Sequence, residues 1–126
     1  MDRIELNIKL ILGILCVLIF MVVVTWMTIS NEQTNRLYPR IVIDDGIRDK
    51  IAFIKIEKGN ARVSFEGRIK RTIYFARNCQ YEPSDLPFFI KSGDSLRKQA
   101  GSDTIRILRN DDVFLFINGD DINCQN

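Results

Sequence analysis

Residues 10–30 read LILGILCVLIFMVVVTWMTIS, and this stretch decides the architecture. No residue in it is charged. About 20 apolar residues let an α-helix cross the hydrocarbon core of a bilayer. A helix also satisfies its own backbone hydrogen bonds, as lipid demands. Trp26 sits near the C-terminal end, where an indole suits headgroup level. The stretch therefore reads as an uncleaved transmembrane anchor, and the lipid bilayer is the partner of residues 10–30. Three alternatives fit less well. A cleaved signal peptide has an apolar region of about 7–15 residues and a small-x-small cleavage site, whereas the flank here reads TWMTISNEQ. A lipidated cysteine needs a small residue before it, and Cys16 follows Leu15. A core helix of a soluble protein would need covering on every side.

The anchor sets the domain plan. Residues 1–9 are a short N-terminal tail, and residues 31–46 are expected to be a linker or a continuation of the helix. Pro39 ends any helix by Tyr38. Residues 47–126 form the folded domain. Arg3 and Lys9 on one flank roughly balance Arg36 and Arg40 on the other, so the positive-inside rule alone gives little direction. The shortness of the tail argues that it stays in the cytoplasm of a single-pass protein in the cell (inner) membrane. The C-terminal domain is then extracytoplasmic.

Setting aside Asp2, Glu5, Arg3 and Lys9, residues 31–126 carry 16 Lys+Arg against 14 Asp+Glu. Nucleic-acid-binding domains are usually more basic and cluster the charge, so no nucleic acid is expected. Local clusters exist. Arg62, Arg68, Lys70, Arg71 and Arg77 lie close together, and Asp111, Asp112, Asp120 and Asp121 crowd the C-terminal end. Cys79 and Cys124 can form a disulfide if their side of the membrane is oxidising.

Beyond residue 46 the pattern is β. Residues 50–58 (KIAFIKIEK) have the length of a strand, and Lys58-Gly59-Asn60 is hairpin chemistry. Residues 62–66 alternate, placing Val63 and Phe65 on one face. Residues 68–76 give a third strand, with Ile73 and Phe75 on one face and Thr72 and Tyr74 on the other. Residues 86–90 (LPFFI) suit a short helical turn or plug that buries Leu86, Phe89 and Ile90. Further strands are expected at 95–98, 104–109 and 113–118, the last two joined at Asn110-Asp111-Asp112. Gly119 onward is expected to fray. About six short strands without a second long helix close most economically as a small SH3-like or OB-like barrel, or as a curved antiparallel sheet.

Gly93-Asp94-Ser95-Leu96 spells the nucleophile motif of a large esterase and lipase family. Such a serine needs a general base, normally histidine, and the chain has no histidine. The motif reads better as a turn, Gly93-Asp94, followed by a strand from Ser95. Adjacent pairs such as Asp44-Asp45 and Asp120-Asp121 point apart in extended chain and also read as turns. No catalytic, cofactor-binding or metal-ligating set is expected. Aromatics remain: Tyr74, Tyr81, Phe88, Phe89, Phe114 and Phe116 are divided between core and a binding face. Residues 113–117 (VFLFI) are apolar on both faces, so an interface is expected at Phe114 and Phe116.

The segment IKSGDSLRKQAGSDTIRILRNDDVFLFING, residues 90–119, resembles the C-terminal half of small membrane-anchored or secreted β-domain proteins of Bacteroidetes. Those proteins carry a GDSI…K…GSDTI.V.R…YYF pattern. The matching residues are Gly93, Asp94, Ser95, Lys98, Gly101, Ser102, Asp103, Thr104, Ile105, Arg109 and Phe116. IAFIKIEKGNARVSFEG, residues 51–67, resembles their opening hairpin more loosely. The resemblance implies an anchored β domain and no particular activity. Ser102 and Asp103 are expected to form a rigid turn through local hydrogen bonds.

The leading expectation is a non-enzymatic extracytoplasmic module that binds a protein or another envelope partner. One alternative is a small envelope hydrolase or ligand-binding enzyme using carboxylates or Ser95. Another is a cytoplasm-facing domain whose basic run, residues 62–77, lies on anionic lipid or nucleic acid.

Overall fold

The computed structural model describes residues 2–125. They divide into a helical unit ending at Arg36 and a β unit beginning at Leu37.

Helix α1, Asp2–Leu37, has no buried side chain and is long and apolar enough to cross a membrane. The hydroxyls of Thr25, Thr28 and Thr34 donate to the carbonyls of Met21, Val24 and Ser30 one turn back, so each finds a partner within the helix. The expected tail at 1–9 is therefore helical over its described residues. Of the two readings expected for residues 31–46, the helix continues through Leu37, and only the stretch after it departs from a linker. Glu32 and Arg36 pair at i,i+4 and support the helix until Pro39 stops it. Residues 38–46 then belong to the β unit. Ile41 is buried. The Thr72 N–H donates to Pro39 O, and Thr72 Oγ1 donates to Tyr38 O. Lys98 Nζ donates to the carbonyls of Ile43 and Asp45, each at 2.7 Å.

The β unit contains β1 (Ile47–Glu57), β2 (Asn60–Phe65), β3 (Lys70–Ile73), β4 (Arg77–Asn78), α2 (Leu86–Phe89), β5 (Ser95–Lys98), β6 (Thr104–Arg109), β7 (Asp112–Ile117) and β8 (Asp121–Ile122). Six strands form one antiparallel sheet in the order β3-β2-β1-β5-β6-β7. β3 and β7 stand at its two ends, so the pairing is that of an open sheet and not of a closed barrel.

Strand β1 joins two groups of strands. Residues 47–50 pair with β5, and residues 51–57 pair with β2. The register shifts between Ile51 and Phe53, which makes Ala52 an extra residue, a β-bulge. The bulge shifts the parity of the core-side face from Ile47 and Ile51 to Ile54 and Ile56, which pair with the buried Val63 and Ala61; Ile54 packs against the core, while Ile56 stays 43% exposed. Two hairpins turn tightly. Lys58 and Gly59 both have positive φ, as do Asn110 and Asp111, the geometry that matches strand twist in two-residue loops.

Alternating residues fill the core: Ile51, Val63, Ile73, Leu96, Ile105 and Ile107 are all buried. Helix α2 plugs it with Leu86 and Phe89, and Ile90 follows. Strand β3 ends at Ile73, so Phe75 leaves the sheet and is exposed, contrary to the shared face expected for Ile73 and Phe75. Contrary to the expected fraying, the described residues after Gly119 are tied to the fold. β8 pairs in parallel with β4, Gly119 N–H donates to Phe75 O, and a disulfide joins Cys79 to Cys124.

Candidate functional site

The conspicuous sequence motif is occupied with holding the fold. Asp94 is buried. Its Oδ1 accepts from Arg109 Nε at 2.8 Å, and its Oδ2 accepts from Arg109 Nη2 at 2.6 Å and from the Lys91 N–H at 2.8 Å. Arg109 Nη2 also donates to Phe89 O. The hydrogen bond from Arg109 to Asp94 raises the arginine above its ordinary pKa. Among the described residues no group hydrogen-bonds the Ser95 hydroxyl. The other polar residues that carry the resemblance act similarly. Lys98 is buried in its cradle of carbonyls, and Ser102 Oγ accepts from the Thr104 N–H. Asp103 contributes its backbone carbonyl to the Asn118 N–H.

The basic run at 62–77 is largely paired. Arg62 meets Glu57, Arg71 meets Asp45, and Arg77 meets Asp85. Among the described residues no three His, Cys, Asp or Glu side chains converge on a common centre.

The aromatics separate into two groups. Tyr81, Phe89, Phe114 and Phe116 form one cluster with ring centroids 4.9–5.5 Å apart. Phe116 is fully buried and Phe114 packs against the core. The interface expected at these two residues is therefore corrected. The cluster draws that face of β7 inward, because Tyr81 and α2 cover it. Tyr81 OH also accepts from the Leu115 N–H, and Asn78 Nδ2 donates to Leu115 O. Side chains thus satisfy part of the sheet's free edge.

The second group faces outward. Two adjoining concavities, of about 150 and 420 Å³, share Tyr74 and Phe75. The smaller is closed by Pro87, Phe88, Arg77 and Asp85, and the larger by residues 40–43, Thr72, Asn118 and Gly119. Phe88 is 52% exposed, Phe75 44% and Val42 51%. Helix α2 explains Phe88: one short turn buries Leu86, Pro87 and Phe89 and leaves the fourth side chain outside. The Arg40 guanidinium lies 4.4 Å from the Tyr74 ring centre, and that of Arg77 lies 5.6 Å from the Phe75 ring centre. Arg77 Nε donates to Asp85 Oδ1 at 2.7 Å, which raises the arginine's pKa. The backbone beneath is fixed, with Phe75 O accepting from Gly119 N–H and Ala76 O from Leu86 N–H. Exposed aromatics rimmed by arginines on a fixed backbone have the composition of a protein-binding surface.

Tyr74 and Phe88 were among the aromatics suggested by sequence. Phe75 and Arg40 are not suggested as binding residues there, and Arg77 enters only through the basic run at 62–77. Phe75 looked like a core residue by strand periodicity, and the signal against it was the end of the strand at Ile73. Compared with known protein families, with curated proteins and with solved structures, the chain matches none.

Proposed function

We propose that this protein is a single-pass, membrane-anchored interaction module that works without catalysis outside the cytoplasm. Its groove between Arg40 and Phe88 holds an apolar segment of a protein partner. The observation that carries the reading is the surface of exposed Val42, Phe75 and Phe88 around the half-buried Tyr74, flanked by Arg40 and Arg77. Apolar patches of this kind on small domains mark partner sites. The disulfide between Cys79 and Cys124 supports an oxidising compartment, and the apolar α1 supports anchoring in the membrane.

A photo-crosslinking residue at position 88 of the full chain, in native membranes, tests this. The expected result is a discrete set of protein adducts, absent when the crosslinker sits at the exposed Lys55. Phe75→Ser should reduce them about tenfold or more, the scale of an interface anchor. Equal adducts at 88 and 55 would refute the groove as a partner site.

A further inference from the structure

Strand pairing builds a second surface that the linear sequence conceals. Arg48 lies opposite Arg97, Arg97 opposite Arg106, and Arg106 opposite Leu115. The next row runs Lys50, Ser95, Leu108 and Val113. Arg48, Lys50, Arg97 and Arg106 are all exposed, while the alternate residues Ile47, Leu96, Ile105 and Ile107 face the core. Among the described residues no ion pair engages these four cations. The carboxylates within these paired segments, Asp49 and Asp112, have the opposite parity. Asp49 is spent on the backbone N–H groups of Lys50 and Gly67.

Like charges directly opposite one another destabilise a sheet. Three arginines in register on adjacent strands, with no acid among them, therefore act against folding and call for an anionic ligand. The chemistry of the ligand follows from the donors. One guanidinium fork satisfies both oxygens of a carboxylate. Three forks spaced by about 4.8 Å, the separation of neighbouring strands, need more acceptor oxygens than that, as phosphate groups supply. A concavity of about 280 Å³ lies among Arg48, Arg97 and Arg106. Beside them, on β7, Val113 is 57% exposed and Leu115 is also exposed. A face with cations at one side and bare aliphatic side chains at the other matches the boundary between headgroups and acyl chains.

We infer that the outer face of β1, β5, β6 and β7 binds the headgroup phosphates of an anionic phospholipid bilayer. Arg48, Arg97 and Arg106 contact phosphate, and Val113 and Leu115 enter the apolar boundary. This face is separate from the groove at Phe75 and Phe88, so either proposal can fail while the other stands.

The full chain in nanodiscs is the test, with a gadolinium chelate on a trace headgroup lipid and amide signals read by NMR. In discs of equal parts phosphatidylglycerol and phosphatidylcholine, the amides of Arg97, Arg106 and Val113 should broaden well beyond that of Asp121. The effect should vanish in pure phosphatidylcholine and at high salt. Arg48→Gln/Arg97→Gln/Arg106→Gln should weaken the attachment roughly a hundredfold. The single change Arg97→Gln should weaken it in the same direction, and it guards against misfolding of the triple variant. Equal broadening in both lipid compositions would overturn the inference. So would shifts of the same amides by soluble hexametaphosphate or poly-glutamate without any effect of phosphatidylglycerol discs, which would point to a soluble polyanion or an acidic protein.

Discussion

Arg109→Ala would leave the Asp94 carboxylate buried with only the Lys91 N–H as partner. Removing one member of a buried pair typically costs about 3–5 kcal/mol, and chemical denaturation of the variant should show a loss on that scale. Ser95→Ala, in the same GDSL motif, should change the unfolding free energy by no more than about 0.5 kcal/mol, the range of ordinary surface changes. Together the two outcomes would show that the Asp94–Arg109 pair, and not the Ser95 hydroxyl, carries the motif's structural role. The raised pKa of Arg109 has a definite sign. Its stabilisation is fully present below the ordinary guanidinium value and lost only as pH rises through the still higher folded value, so this pair adds no pH dependence near neutrality. Lys98 gives another residue-scale test. Lys98→Met keeps the aliphatic stem and removes the donor from the carbonyls of Ile43 and Asp45. Hydrogen bonds to charged groups contribute about 1.5–3 kcal/mol each. Equilibrium unfolding should show a loss of about 3 kcal/mol or more, from two such bonds, and hydrogen exchange should quicken first at residues 41–46.

At the scale of elements, the decisive features are turns and the bulge in β1. The Asp49 carboxylate accepts from the Gly67 N–H at 2.9 Å, tying the β2–β3 turn to β1. A Cβ at position 67 would lie 2.5 Å from Asp49 Oδ2. Gly67→Ala should therefore break this tie and destabilise by about 1–2 kcal/mol. If a thermal melt instead shows stabilisation, as glycine replacement gives at unstrained sites, the tie has no energetic weight. Several strands were legible in sequence because their alternation is clean: Ser95–Lys98 and Thr104–Arg109 match their expected limits. The faces of β1 were not legible. The apolar run from Ile51 to Ile54 has no visible alternation, and the inserted Ala52 exchanges inward for outward partway along the strand. The fate of the stretch after Ile73 was also hidden, because departure from a sheet depends on neighbours that the local pattern does not contain.

At the scale of the molecule, the disulfide closes a loop across a separation of 45 residues. Chain-entropy arguments give about 4 kcal/mol for a loop of this length. Cys79→Ser/Cys124→Ser should lower the unfolding free energy by an amount of that order and release β8 from β4. If the domain is outside the cytoplasm, a membrane-impermeant thiol reagent should label Cys79 and Cys124 in intact cells only after reduction; labelling without reduction would argue that the bond is not formed there. The linear sequence determined the apolar helix, because spanning length depends only on consecutive composition set against bilayer thickness. It also determined the β class and both tight hairpins, because period-two alternation and turn chemistry are local. Tertiary structure decided which of the aromatics became core and which became surface, since burial depends on what α2 and Tyr81 cover. It also decided the row of Arg48, Arg97 and Arg106. Those residues become neighbours only through long-range pairing of β1 with β5 and of β5 with β6, and no local pattern specifies which strands lie side by side.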